Sequence, residues 1–451
     1  MRMNDKNLLY DIQDKPSKKE MILYSIQHCL AMFVATSLIS ILIYQSFDMV
    51  PAAIISAGIG TIIYAFITKF KSPVFLGSSA ALMPIMSTCL FIGFGASEEP
   101  GGNYIALILG LIVVALVYTI LSLIVKKFGV NMLHKILPPV IVGPVVTLIG
   151  LGLAGFATSW SMQNGSNDFN GWSLLVAVFT MIIVVLLSHY GKGLFKTLPF
   201  LIAIIGGYIL ALILTWIGRS CENESMQLIS FGAKLNWLPK FSFIEACKGF
   251  KYNHFTWSQI PQILLIAIPV SCVAFCEHIG DHLNLSNIIQ KDLLEEPGLD
   301  KTALGDGIAT AVGGFIGGMG NTTYGENIAV IGITRVGSVY PVIGAAILAI
   351  ILGLFAPLMW WVQTIPYCVF GGCALILYGF IAISGLKELR KINLENTKNT
   401  LVVSVILISG VGGLFIPIGN FTFTGVALAM IIGIFLNLIL KDKKDENGDN
   451  L

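Results

Sequence analysis

Two short polar stretches carry the side chains of this sequence that could do chemistry. Residues 275–282 hold Glu277 and Asp281, and residues 320–327 hold Glu326. Long apolar segments flank both stretches, so the carboxylates are predicted to lie at membrane depth. An ionisable group is costly there and typically serves a function.

The composition predicts an integral membrane protein. Of the 451 residues, 55% are hydrophobic and 12% are charged, against roughly 25% charged residues in a soluble domain. The apolar runs are about 20 residues long and do not alternate, which favours helices over a β-barrel. The net charge of +2 does not indicate a nucleic-acid partner, and the eight cysteines show no metal-ligand spacing, so we expect no cofactor and no metal. Cys221 and Cys247 share one long loop and could pair if it is extracellular.

The apolar segments predict fourteen membrane spans. They are residues 21–44, 50–66, 73–94, 104–125, 138–157, 172–187, 198–217, 260–282, 300–318, 321–336, 341–362, 367–384, 401–416 and 426–440. With both termini in the cytoplasm, all but five of the 27 lysines and arginines fall on the cytoplasmic side, and those five lie in the long loop 218–258. The positive-inside rule therefore supports this topology.

The third and tenth spans share an unusual pattern. Each begins with a short extended piece, at residues 73–77 and 321–325, and continues as a half-helix, at residues 80–94 and 326–336. Seven spans per half is an odd number, so the two halves enter the membrane from opposite sides. We therefore predict an all-α polytopic membrane protein with a 7+7 inverted repeat, whose broken spans mark a binding site near the bilayer midplane.

The predicted site combines hydrogen-bond donors and acceptors. The start of a half-helix presents free backbone N–H groups, and Glu277 and Glu326 would accept hydrogen bonds. This pattern suits a small, flat, neutral molecule with alternating N–H and C=O groups, such as the edge of a pyrimidine or an oxopurine. A carboxylate buried at this depth also takes up a proton readily, which favours proton-coupled uptake.

The structural alternative for Glu277 and Glu326 is that they pair with neighbouring histidines or backbone groups and hold helices together. Asp281 lies four residues after Glu277 and hence on the same helical face. It either relays protons or caps the end of the helix.

The histidines have similar alternatives. His28 is either a proton relay or an interhelical hydrogen-bond partner, and His278 is more simply explained as a packing residue. The polar residues 321–323 are expected to satisfy the extended backbone rather than to contact a ligand.

Several motifs resemble a known family. Residues 321–330, Asn-Thr-Thr-Tyr-Gly-Glu-Asn-Ile-Ala-Val, resemble the signature of the bacterial uracil permeases of the nucleobase–ascorbate transporter family. Residues 277–294, 27–33, 76–79 and 377–379 are similar to other motifs of this family, and the match covers nearly the whole chain.

The resemblance implies a transporter, not an enzyme, with a core domain (spans 1–4 and 8–11) and a gate domain (spans 5–7 and 12–14). It further implies proton symport, a homodimer and a plasma-membrane location. The implied substrate-binding residues are Glu277, Glu326, Gly325, Tyr324, Ala80 and Tyr378. The candidates for proton coupling are Glu277, Asp281 and His28.

The expected boundaries of these parts follow the spans. They are residues 1–20 (cytoplasmic segment), 21–127 (core), 128–217 (gate), 218–258 (extracytoplasmic loop), 259–362 (core), 363–440 (gate) and 441–451 (cytoplasmic tail).

Two departures from the family pattern concern the substrate. Uracil permeases usually have Phe-Ala-Phe where this chain has residues 80–82, Ala-Ala-Leu. They usually have His at the position of Asp281, which resembles the xanthine and urate branch, although that branch usually has Gln in place of Glu326. Uracil is the favoured substrate, and a xanthine-like purine is the alternative.

The alternative from a different class is an anion transporter or channel on the same inverted-repeat architecture. Two facing carboxylates would repel an anion, and this disfavours that reading.

Overall fold

The computed structural model describes residues 8–92, 102–129, 138–163, 168–232, 237–251, 255–418 and 421–440, and they are mostly helical. The helices of the first half are α1 (Lys18–Tyr44), α2 (Val50–Ile67), α3 (Met83–Phe91), α4 (Tyr104–Phe128), α5 (Pro139–Gly152), α6 (Ala154–Met162), α7 (Gly171–Tyr190), α8 (Leu194–Thr197) and α9 (Pro199–Ser220). Strand β1 (Leu76–Ser78) precedes α3.

The second half repeats this order after the connecting helix α10 (Ser242–Lys251). Its helices are α11 (Ile260–Ile289), α12 (Leu299–Ile316), α13 (Gly325–Thr334), α14 (Val339–Leu354), α15 (Ala356–Gln363), α16 (Tyr367–Leu389), α17 (Thr397–Val411) and α18 (Gly425–Ile439). Strand β2 (Asn321–Thr323) precedes α13, and a hairpin of β3 (Phe415–Ile418) and β4 (Phe421–Thr424) joins α17 to α18.

Among the described residues, eight helical segments are long and apolar enough to cross a membrane, or nine if the bent pair α14–α15 is one span. Six of them are α1, α2, α4, α7, α9 and α16, and the other two are α5 with α6 and α11 with the turn before it. The chain is therefore a multi-pass membrane protein.

Side-chain caps fix the starts of several helices. Ser17 and Glu20 form a capping box at α1, in which the Ser17 side chain accepts from the Glu20 amide and the Glu20 side chain accepts from the Ser17 amide. The side chains of Asn103, Asn170 and Asn396 accept from first-turn amides of α4, α7 and α17. These residues satisfy N–H groups that a helix cannot pair internally.

The two halves pack in a reciprocal manner. Helix α2 packs on α14 as α12 packs on α4, and α1 contacts α13 as α11 contacts α3. Helices α5 and α16 pack against each other, and α7 contacts α16 as α17 contacts α5. Each contact between the two halves thus has an equivalent in which the roles of the halves are exchanged, as expected for two repeats of one unit.

The two strands pair where the repeats meet. Strands β1 and β2 are antiparallel, with Leu76 opposite Thr323, Gly77 opposite Thr322 and Ser78 opposite Asn321. Backbone hydrogen bonds from Ser79 to Gly320 (2.8 Å) and from Tyr324 to Phe75 (3.1 Å) extend the ladder. Because the pairing is antiparallel, the two strands run in opposite directions through this crossing and lead toward their half-helices from opposite ends of the ladder.

Gly77 is required at this crossing because the ring of Tyr324 lies over it. A Cβ atom at position 77 would come within 2.4 Å of the Tyr324 ring, so the ring or the strand would have to shift. The glycine therefore allows close approach of the aromatic ring to the backbone.

Helix α3 begins three residues later than predicted. The sequence predicted a start at Ala80 after a Ser78-Ser79 cap, but the helix starts at Met83, and residues 80–82 form a turn. The Ser79 hydroxyl accepts from the Leu82 amide (3.4 Å), which closes that turn. Pro84 lies in the first helical turn, where its fixed φ and missing N–H are accommodated. The predicted end, near residue 94, lies outside the described residues.

Helix α11 is longer than predicted. We expected it to end near His282, but it continues to Ile289. Leu285 and Ile289 are buried in a cluster with Tyr64 and Ile331, so the extra turns bury apolar surface. Glu277 consequently lies within the helix rather than near its end.

Two predicted spans are interrupted. The eleventh was predicted as residues 341–362, but α14 and α15 are bent by 73° at Phe355, where Pro357 in the first turn of α15 starts a new helix. The thirteenth was predicted to reach Ile416, but α17 ends at Val411. Gly413 then adopts φ +67°, and the hairpin β3–β4 follows.

The segment before α1 is attached to the far end of α13. The Leu9 amide donates to the Arg335 carbonyl (2.8 Å), and the Gly337 amide donates to the Tyr10 carbonyl (2.9 Å). The Asp11 carboxylate pairs with the Lys291 ammonium at 2.6 Å, just beyond the end of α11. The N-terminal segment thus joins α1, α11 and α13 at one end of the molecule.

Candidate functional site

A cavity of about 400 Å³ lies between the β1–α3 turn, the start of α13 and the middle of α11. One wall comes from α1, the β1–α3 turn, α11, β2 and α13, and the other from α5, the end of α7, α8, α9 and α16. Its polar lining residues are Ser78, Ser79, Ser188, Lys196, Thr197, Glu277, Asp281, Thr322, Thr323, Tyr324, Glu326 and Ser384.

The three predicted acidic residues line this single cavity. Glu277 and Asp281 are one turn apart on α11, and Glu326 is the second residue of α13. The Glu277 side chain is exposed to the cavity, while Asp281 and Glu326 are half-buried. The Asp281 carboxylate accepts a hydrogen bond from the Thr323 hydroxyl at 2.7 Å. Carboxylates from two helices of the second repeat therefore face one space.

The start of α13 offers a backbone donor to the cavity. Tyr324 is the N-cap residue, and its carbonyl accepts from the amides of Asn327 and Ile328 at 3.1 Å each. Gly325, the first helical residue, lines the cavity, and its amide has no acceptor within the helix. A Cβ atom at Gly325 would meet nothing within 4 Å, so open space lies directly beside this amide.

The other repeat presents the Ser79–Ala80 turn at the same cavity. Ala80, one of the residues predicted to bind substrate, lines the cavity from this turn, and the first helical residue of α3 does not reach it. Tyr324 also lines the cavity, and its hydroxyl lies 3.3 Å from the hydroxyl of Thr36 on α1. The Tyr324 ring is therefore held between α1 and Gly77.

The structure places two predicted site residues outside the cavity lining. His28 is buried behind α13, where the Asn327 side-chain amide donates to both its Nδ1 (3.1 Å) and its carbonyl oxygen (3.0 Å). Tyr378 is 2% exposed, and its neighbours Leu377, Phe380 and Ile381 on α16 line the cavity instead. His28 is thus an interhelical hydrogen-bond partner of Asn327, the residue that follows Glu326.

Sequence reasoning missed Asp306 on α12. This carboxylate is fully buried, and its Oδ2 atom lies 2.6 Å from Nδ1 of His278. His278 is therefore a buried histidine whose two ring nitrogens contact Asp306 and Thr302. A lone acid within a glycine-rich apolar segment was the available signal.

It also missed Lys196, which lies on α8 at the rim of the cavity and is exposed. From the sequence, Lys196 was predicted only to lie in a short loop between two spans. Three carboxylates and one exposed ammonium make the cavity acidic overall.

Among the described residues, the structure shows neither a disulfide bond nor a metal site. Among the described residues, no group of three or more His, Cys, Asp or Glu side chains could hold a metal ion. Cys221 and Cys247 are both exposed and unpaired.

The sequence is similar to a group of bacterial permeases. It is 37% identical to a uracil permease of Bacillus caldolyticus over 95% of this chain and 94% of the relative. It is 36% identical to a uracil permease of Bacillus subtilis over 99% and 98% of the two chains. A uracil permease of Escherichia coli is 34% identical over 95% and 93%.

Solved structures show the same fold at low sequence identity. The transmembrane domain of the cyanobacterial bicarbonate transporter BicA superposes with a TM-score of 0.61, at 15% identity, over 94% of this chain and 99% of that domain. The murine anion transporter Slc26a9 in its inward-facing state gives a TM-score of 0.63, at 12% identity, over 95% and 69% of the two chains. At these identities the likeness concerns the fold alone.

The family assignment rests on the full-length match. The sequence model described as the permease family matches residues 19–419, and relatives more than a third identical extend over nearly the whole chain. The chain therefore belongs to this permease family, whose members are membrane transporters rather than enzymes, in agreement with the resemblance seen in residues 321–330.

Proposed function

We propose that this protein is a proton-coupled importer of a nucleobase, with uracil as its first substrate. The observation that carries the proposal is the shared cavity of Glu277 and Glu326 at the start of α13. The two carboxylates would accept from ring N–H groups, and the amide of Gly325 would donate to a ring carbonyl. The names of the relatives, uracil permeases, support this choice of substrate.

A xanthine-like purine is the alternative within the same family. The cavity of about 400 Å³ has the size of a typical small-molecule site and leaves space for a bicyclic ring. Ala80 supports this alternative, because a small side chain lines the cavity where uracil permeases usually have an aromatic one.

An anion substrate is less compatible with the charges. The structural neighbours include anion and bicarbonate transporters, but this cavity is lined by three carboxylates and a single exposed ammonium at Lys196. Carboxylates beside a buried anion repel it, whereas they suit a neutral ring with N–H donors.

The proposed transport cycle moves a core against a gate. The core comprises spans 1–4 and 8–11 of a fourteen-span chain, and the gate comprises spans 5–7 and 12–14, with both termini in the cytoplasm and two copies forming a homodimer. By the positive-inside rule, the loop that contains Lys196 lies on the cytoplasmic side. Because Lys196 lies at the rim of the cavity, the cavity would open toward the cytoplasm. Glu277 and Asp281 are the proposed proton carriers, and His28 acts through Asn327 on the helix that bears Glu326.

Tyr378 is proposed to contact the substrate from the gate side. It would reach the ring only if core and gate rearrange, because its neighbours line the cavity in this state.

The test is uptake of labelled uracil into proteoliposomes, with xanthine, urate, thymine and hypoxanthine as competitors. We expect uptake to follow an inward proton gradient and to be competed most strongly by uracil and next by its close analogues. Uptake that ignores the proton gradient and depends on sodium would exclude proton coupling. Competition by xanthine stronger than by unlabelled uracil would identify the purine alternative.

A further inference from the structure

The histidines of α11 lie on the side of the helix that turns away from the cavity. His278 and His282 are four residues apart and fully buried, and neither lines the cavity that contains Glu277 and Asp281. One helix thus carries two titratable pairs, carboxylates toward the cavity and imidazoles toward α2 and α12.

The hydrogen bonds of His282 have a defined direction. Its Nδ1 lies 2.8 Å from the carbonyl oxygen of His278, which can only accept, so Nδ1 carries the proton and Nε2 is an acceptor. The Tyr64 hydroxyl lies 2.7 Å from Nε2 and therefore donates to it. The Tyr64 oxygen lies 2.9 Å from the Ser72 hydroxyl and accepts from it. Donors are consequently ordered from Ser72 through Tyr64 to His282.

The outer end of this chain leads toward an exposed face. Ser72 is buried but directly follows Lys71, whose ammonium is half-exposed and pairs with Glu296. By the positive-inside rule, Lys71 lies on the cytoplasmic side of the membrane. The chain from Ser72 to His282 thus runs between that face and the interior of the molecule.

The inner end of the chain meets a buried carboxylate with an unsatisfied oxygen. Asp306 Oδ2 pairs with His278 Nδ1 at 2.6 Å, and Asp306 Oδ1 has no hydrogen-bond partner among the described residues. The His278 and His282 ring centroids are 4.1 Å apart. A buried carboxylate that lacks full compensation is costly, and a proton on His282 Nε2 would supply positive charge beside it. The other titratable groups around the two imidazoles are Tyr64 of α2, Tyr118 of α4, and Glu277 and Asp281 of α11.

The cluster is mechanically connected to the cavity through β2. The Thr323 hydroxyl donates to Asp281 of α11, and the Thr310 hydroxyl of α12 donates to the Asn321 carbonyl at 2.5 Å. Strand β2 is therefore held by both helices of the cluster, and it leads directly into Gly325. A change of charge between α11 and α12 would be felt where the substrate binds.

We propose that Asp306, His278 and His282 form a proton-binding site of the transport cycle, separate from the cavity carboxylates, that releases its proton to the cytoplasmic face through Tyr64 and Ser72. In the release step the Nε2–H bond of His282 breaks as a new O–H bond forms on Tyr64. Tyr64 gives its former hydroxyl proton to Ser72, and Ser72 gives its own to a water at the Lys71 face. Nothing is oxidised or reduced, the net change is one proton moved from His282 to water, and the donor order that remains is the one seen in the structure.

The test uses one pair of matched variants and rests on the proposed proton-coupled uptake of uracil. Tyr64→Phe removes the hydroxyl that links Ser72 to His282 and keeps the ring. Tyr118→Phe is the control, because Tyr118 is equally buried next to His278 and its hydroxyl has no partner among the described residues. For each purified protein we would measure uracil binding by calorimetry, uracil exchange at equal pH on both sides, and net uptake driven by a proton gradient.

We expect Tyr64→Phe to bind and exchange uracil within twofold of the parent and to lose at least tenfold in net uptake, since only net uptake requires proton loading and release in each cycle. Tyr118→Phe should match the parent in all three measurements. Unchanged net uptake in Tyr64→Phe, or an equal loss of exchange and net uptake, would overturn the proton site and leave the proposed function standing. A parent protein whose uracil uptake ignores the proton gradient would instead refute proton coupling, and this proposal with it.

Discussion

The two half-helix regions of this permease share a scaffold but differ in chemistry. Both follow one strand of the β1–β2 pair, and both reach the same cavity. The first contributes Ser79 and Ala80 from an uncharged turn, and its helix starts only at Met83. The second contributes Gly325 and Glu326 from the first turn of the helix itself.

The same contrast holds for the helices that flank them. Helix α1 lines the cavity with apolar side chains such as Leu30 and Val34, whereas its counterpart α11 contributes Glu277 and Asp281. All three carboxylates of the cavity thus come from the second repeat. The first repeat supplies a wall and backbone polarity, which suggests that the second repeat determines recognition and the first determines the shape of the site.

The largest expected effect comes from removing the carboxylates of the second repeat. Glu277→Gln and Glu326→Gln should each lower uracil affinity by roughly 30-fold and uptake to less than about a tenth, since a hydrogen bond to a charged group contributes ~1.5–3 kcal/mol. Binding and uptake assays on protein of normal membrane yield measure this.

The matched control is Glu388→Gln, because Glu388 pairs with Lys391 on an exposed surface and should have no effect on transport. Normal uptake in both cavity variants would remove the assigned site.

A pair of glycine variants separates folding from recognition. Gly77→Ala would place Cβ within 2.4 Å of the Tyr324 ring and should cost ~1–3 kcal/mol of stability, visible as a lower yield and melting temperature. Gly325→Ala meets nothing within 4 Å, so it should fold normally. Its methyl group would stand beside the donor amide and should weaken uracil binding by about tenfold, since a misfitted methylene costs ~1–3 kcal/mol.

The contrast between these two variants is the informative result. A Gly325→Ala protein that binds uracil like the parent would show that this amide does not contact the substrate. A Gly77→Ala protein of normal stability would contradict the close packing of Tyr324 on β1.

The placement of the second repeat's carboxylates at one cavity could be predicted from the sequence, because each lies close along the chain to the pattern that indicates it. Glu326 follows an extended polar stretch within a few residues, and the predicted start of its helix differs from α13 by one residue. Glu277 and Asp281 needed only their spacing to be placed on one face.

The remaining features depend on contacts between distant segments. The pairing of Asp306 with His278 is set by how α11 packs on α12, and the place of Lys196 depends on the four-residue helix α8.

Leu377, rather than Tyr378, lines the cavity because successive helical residues point about 100° apart, and helix rotation cannot be read from one motif. The late start of α3 depends on the turn at residues 80–82, which no spacing rule indicated.

A variant of the first repeat tests whether that repeat sets the shape of the site. Ala80→Phe would place an aromatic ring against the cavity and should lower the ability of xanthine to compete with uracil by at least about tenfold, while uracil uptake changes less. Ala80→Leu is the control that fills space without an aromatic face. Equal loss of uracil and xanthine binding in Ala80→Phe would mean that position 80 blocks the cavity rather than selecting the ring size.

The smallest expected effect concerns the far end of the second half-helix, which the segment before α1 holds. The hydrogen bond from the Lys291 ammonium keeps the pKa of Asp11 below its usual value. A lowered carboxyl pKa adds stability that is present above the unfolded-state pKa, about 3.9, and is lost as the pH falls through the folded-state pKa. Because the pair is about half-exposed, its contribution is only ~0.2–1 kcal/mol.

Asp11→Asn should therefore lower the melting temperature at pH 7 by about 1–2 °C. This difference should shrink toward pH 3, and uracil uptake should stay normal. A large loss of uptake in this variant would show that the N-terminal segment positions Glu326 through α13, and the second repeat would then depend on the first for its chemistry as well as its shape.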